Sequence, residues 1–65
     1  MYTVVSEFKT GRYTVLKLDR AIEEKHYTRY RIDGYDYAIV PVYDLPLHIA
    51  IDADGMFKGK TVECI

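Results

Sequence analysis

The sequence predicts an all-β domain of about six short antiparallel strands, closed into a small barrel or bent as a meander, with at most one short helical turn. Three observations carry this. β-Branched and aromatic residues alternate with polar ones along most of the chain, which is the period-2 pattern of half-buried strands. Turn signals recur at spacings of about ten residues: Gly11, Asp33-Gly34, Asp44-Leu45-Pro46 and Asp52-Ala53-Asp54-Gly55. Residues 19–25 break the strand pattern, and a helix that short is marginal alone.

The first strand is read over 2–8, rich in Val, Thr, Tyr and Phe. Lys9-Thr10-Gly11-Arg12 turns the chain into a second strand at 13–18, forming a hairpin. Asp19 can cap a single helical turn in the charged connection that follows. The third strand is 26–32 and the fourth 35–43, joined by Asp33-Gly34, the strongest short hairpin signal available. A two-residue loop there sets Ile32 opposite Tyr35, Tyr30 opposite Tyr37, Thr28 opposite Ile39 and Arg31 opposite Asp36. The run 37–42 is nearly all apolar, so this strand is covered on both faces or bends between two layers. Pro41 cannot donate to a ladder, which predicts a bulge or an edge there. A fifth strand at 47–51, an irregular segment at 56–60 and a last strand at 60–65 complete the chain.

With 65 residues, the chain is one domain spanning 1–65. A core this small rarely supplies more than roughly 3–5 kcal/mol, which leaves little for a strained active site. The size favours a binding module or an oligomer subunit. The strand arrangement is similar to that of SH3-like barrels; this likeness is one of fold, and fold does not fix function. The net charge of −1 argues against strong non-specific attraction to nucleic acid. A single cysteine, Cys64, excludes an internal disulfide. No signal peptide and no apolar run of membrane-spanning length are visible, so a cytoplasmic location without membrane contact is expected.

The motifs that suggest chemistry fail on spacing. Gly59-Lys60-Thr61 lacks a correctly placed earlier glycine and a following helix, so no phosphate loop forms. Asp52 and Glu63 stand at the first and twelfth positions of a would-be calcium loop, but Phe57 occupies the position that requires glycine. His26, His48 and Cys64 lack zinc-ligand spacing, and only three soft ligands exist. The expectation is no catalytic residue, no cofactor and no metal.

Seven tyrosines remain to be explained. Alternation puts Tyr30, Ile32, Tyr35, Tyr37 and Ile39 on one face of the third and fourth strands. Tyr27, Arg29, Arg31, Ala38 and Val40 fall on the other. Tyr and Arg anchor interfaces, so Tyr27, Arg29, Tyr30, Arg31, Tyr35 and Tyr37 form the candidate interaction surface. The expected function is a non-catalytic module binding a protein partner or itself. The alternative is a single-stranded nucleic-acid binder that stacks bases on tyrosine; the near-neutral charge and the Arg31–Asp36 pairing disfavour it.

Overall fold

The computed structural model describes residues 1–22, 29–42 and 44–64. Six strands form: β1 (Tyr2–Thr10), β2 (Tyr13–Leu18), β3 (Arg29–Ile32), β4 (Tyr35–Pro41), β5 (His48–Ile51) and β6 (Thr61–Cys64). Every pairing is antiparallel, and the strands close into a barrel-like ring in the order β1-β2-β5-β4-β3-β6. The expected all-β architecture of six antiparallel strands is the observed one.

Two strands turn the ring's corners. Tyr2 and Thr3 pair with β6, whereas the rest of β1 pairs with β2. In β4, Tyr35–Ala38 pair with β3 and Ile39–Pro41 with β5. The apolar run 37–42 therefore belongs to a strand that passes from one layer to the other. Among the described residues β4 keeps only β5 as a neighbour beyond Ala38, so at Pro41 no ladder donor is needed on the second side. Among the described residues, Pro41 thus sits at a local edge. The bulge lies elsewhere, at Val5 of β1, where the register shifts between Val4 and Ser6.

Both hairpins follow from turn chemistry. Asp33 (φ 53°) and Gly34 (φ 85°) both take positive φ, as a type I′ turn requires, and the register matches the sequence prediction at Ile32–Tyr35, Tyr30–Tyr37 and Arg31–Asp36. The predicted Thr28–Ile39 pair lies outside the described residues, as do the strand at 26–28 and most of the helical turn anticipated near 20–25. The first hairpin is longer than expected, with β1 running to Thr10, whose partner is Tyr13.

The core is the inward half of each strand's alternation: Tyr2, Val4, Leu16, Leu18, Tyr30, Ile32, Ile39, Ile49, Ile51 and Val62. Two further core members come from outside the strands. Ile22 follows β2 in the segment read as charged, and Phe57 sits in the segment read as irregular. Phe57 closes one end of the ring, meeting Tyr37 edge-to-face with centroids 5.7 Å apart. Its segment is tied down at several points: Thr14 Oγ1 donates to the Ala53 carbonyl at 2.6 Å, Lys9 Nζ to the Gly55 carbonyl at 3.2 Å, and Lys60 N to the Phe57 carbonyl at 2.9 Å. Thr14, wholly buried, is satisfied by that bond and by a 3.1 Å bond from Lys9 Nζ.

Candidate functional site

The pleat divides the predicted interaction surface between the inside and the outside of the ring. Tyr30 is a correction: it is fully buried, because inward alternation on β3 sets it in the core, and it cannot contact a partner. Tyr37 shares that inward face and is half-buried against Phe57. Tyr35, also on the inward side but at the hairpin end, is 69% exposed because the ring ends there. Arg29 and Arg31 point outward and are exposed. Tyr27 lies outside the described residues. The five described residues therefore do not form one surface. Arg31 is also committed locally, with Nε donating to Asp36 at 3.0 Å and Glu63 beside it on β6.

A different surface emerges on the outward face of β1-β2-β5-β4. Phe8 pairs with Val15, Val15 with Ala50, and Ala50 with Val40, so four apolar side chains form one row across four strands. None of the four belongs to the core cluster. Val15 and Ala50, in the middle, are 6% and 7% exposed; Phe8 and Val40, at the ends, are 51% and 45% exposed. Ser6, Lys17 and His48 flank the row on one side. His48 Nδ1 is shut off from water there with no hydrogen-bond partner among the described residues. Thr10, Tyr13 and Asp52 flank the row's other side. The sequence signal for this row was available in the alternation of β1 and β2. It could not be assembled, because the β2–β5 pairing joins strands separated by two others in the chain.

Charge on this face is sparse and opposed. Asp52 is paired with Arg12. The hydrogen bond from the Arg12 guanidinium and its positive charge hold the Asp52 carboxyl below its ordinary range, and the same pairing raises Arg12. Lys17, on the far side of the row, makes no ion pair among the described residues.

The end of the ring closed by Phe57 carries a half-open cleft of about 160 Å³. Ile32, Tyr37 and Phe57 form its floor; Tyr35, Met56, Asp33, Asp54 and Lys60 form its rim. Lys60 Nζ lies 3.2 Å from Asp33, and Lys9 Nζ lies 3.6 Å from Asp54.

No group of three or more His, Cys, Asp or Glu among the described residues is arranged to hold a metal ion. No helix among them is long and apolar enough to cross a membrane. Compared with known families, curated proteins and solved structures, the chain matches none.

Proposed function

We propose that the protein is a non-catalytic interaction module whose partner is a second copy of itself, docked through the outward face of β1-β2-β5-β4. The observation that carries this reading is the row Phe8–Val15–Ala50–Val40. A chain this short has few apolar side chains to spare from its core, and two large ones left exposed at the ends of this row, Phe8 and Val40, with the buried Val15 and Ala50 between them, mark a contact surface. The second copy is favoured by charge. A twofold axis in the interface, running close to the line of the row, lays one row on the other. It also brings Lys17 of each copy close to Asp52 of the other, which it would share with that chain's Arg12, an isologous arrangement. The molecule measures 27 × 25 × 19 Å, so one face offers less than the roughly 800 Å² per partner of a standard interface, and weak, reversible association is expected.

The test is sedimentation velocity across the micromolar to millimolar range. The mass should rise from 7.6 kDa toward twice that value with concentration. Phe8→Ser and Val40→Ser should hold the protein monomeric with an unchanged melting temperature. Lys17→Asp and Asp52→Lys should each weaken the dimer, and the two together should restore it. A monomer at every concentration sinks the proposal. So does tight, steeply salt-dependent binding of a single-stranded oligonucleotide lost in Arg29→Ala, since salt sensitivity of that kind reports phosphate contacts.

A further inference from the structure

The cleft at the Phe57 end is independent of the dimer face and has its own chemistry. Tyr37 and Phe57 stand at 87° to one another, so their rings form two adjoining walls of a corner. Tyr35, largely exposed, and Met56, 88% exposed, stand at the opening. Together they leave a large apolar surface in water beside the cleft. The space, about 160 Å³, is close to the roughly 150 Å³ that accommodates benzene. That is room for a compact head of about five heavy atoms.

The electrostatics favour a cation. Aromatic faces carry negative potential and attract ammonium groups, most of all alkylated ones that shed water easily. The cleft is bordered by two carboxylates, Asp33 and Asp54, and by the ammonium groups of Lys60 and Lys9, so its charges balance and the attraction for a cation comes from the aromatic faces. Both carboxylates already hold ammonium groups of this chain, Lys60 on Asp33 and Lys9 on Asp54. Lys9 is held back from the opening by its bonds to Thr14 and the Gly55 carbonyl, whereas Lys60 has only Asp33 among the described residues. We infer that this cleft is a binding site for a small alkylated ammonium group, with Tyr35, Tyr37 and Phe57 as its aromatic walls and Asp33 and Asp54 as its counter-charges. Lys60 acts as an internal competitor that a bound cation displaces from Asp33.

The experiment is an NMR titration of the folded protein with tetramethylammonium chloride, with tert-butanol as the neutral compact control and sodium chloride as the salt control. Saturable shifts are expected at Tyr35, Tyr37, Met56 and Phe57. Tert-butanol should bind about tenfold more weakly, the factor a cation–π contact contributes in a partly desolvated site. Tyr35→Leu keeps apolar area and removes the ring; with its melting temperature unchanged, it should weaken tetramethylammonium severalfold. Lys60→Met should strengthen it severalfold. Choline phosphate and N-acetyl-trimethyllysine amide then separate the two sources of such a group. The carboxylates on the rim should repel the phosphate and favour the lysine derivative. Equal binding of tert-butanol makes the cleft a plain apolar groove and overturns the inference, as does an absence of saturable shifts or an unchanged affinity in Tyr35→Leu. Phe8→Ser, which addresses the dimer face, should leave the titration unaltered, so the two proposals fail separately.

Discussion

The carboxylate of Glu7 accepts hydrogen bonds from two successive backbone N–H groups, those of Phe57 at 2.6 Å and Lys58 at 2.7 Å. One oxygen, Oε1, takes both. This latch joins β1 to a loop fifty residues away and holds the ring-closing Phe57 in place. Glu7→Ala leaves both donors without their acceptor, that of Phe57 in a part-buried setting and that of Lys58 in an exposed one, and should cost about 1–3 kcal/mol. In a domain of this size that lowers the melting temperature by about 4–8 °C per kcal/mol. Glu7→Gln keeps an oxygen acceptor without the charge and should lose roughly half as much. Thermal melts of the two variants check this; an Ala variant as stable as the parent would mean the latch contributes nothing.

Gly55 packs under the same residue. Its φ of 150° suits glycine, and a Cβ built there would lie 3.1 Å from the Phe57 ring. Phe57 is buried and its backbone is latched, so the ring has little freedom to move away. Gly55→Ala should therefore destabilise by about 1–3 kcal/mol through overpacking and backbone strain. Combined with Glu7→Ala, the effects should be less than additive, since both act by displacing Phe57. Strict additivity in denaturant melts would show the two sites to be uncoupled.

Gly34 is the contrasting case. It also has positive φ, 85°, but nothing lies within 4 Å of an added Cβ. Any penalty is then one of backbone conformation alone. Gly34→Val should cost on the order of 1 kcal/mol or more, and Gly34→Asn much less, because Asn tolerates the left-handed region and a β-branched residue does not. Equal stability of the Val and Asn variants would contradict the type I′ geometry.

The Arg12–Asp52 pair gives a pH signature. The folded-state carboxyl lies below its ordinary value because Arg12 donates to it. A depressed carboxylate pKa contributes stability that is present above the unfolded value, near 3.9, and is lost as pH falls through the folded value. Asp52→Asn should accordingly lower the melting temperature slightly at neutral pH, and the variant and parent curves should converge as the pH falls below about 4. Both groups are at the surface, so the difference should be small and should shrink in high salt. A variant that melts in parallel with the parent across the acid range would remove the pair as a contributor.

The strands were legible because alternation and turn chemistry are local. Asp33-Gly34 alone set the register of β3 against β4, since a two-residue type I′ loop permits only one. Gly11 and the Val- and Thr-rich runs beside it sufficed for the first hairpin. The inward and outward sets of each strand were also readable, because the side-chain period is two.

Which set faces the core was decided only by tertiary structure. Tyr30 and Arg31 are neighbours in sequence with equal claims to a surface role. Closure of the ring buries one and exposes the other. The row Phe8–Val15–Ala50–Val40 exists only because β5 inserts between β2 and β4, a long-range pairing that no local pattern encodes. The same holds for Phe57 and Ile22, which lie in segments without period; they are core residues because the chain returns to cover the ends of the ring. Secondary structure here follows from interactions between near neighbours, which a sequence displays. The two surfaces proposed as functional bring together residues about twenty to thirty-five positions apart, and their meeting depends on the free energy of the whole closed sheet.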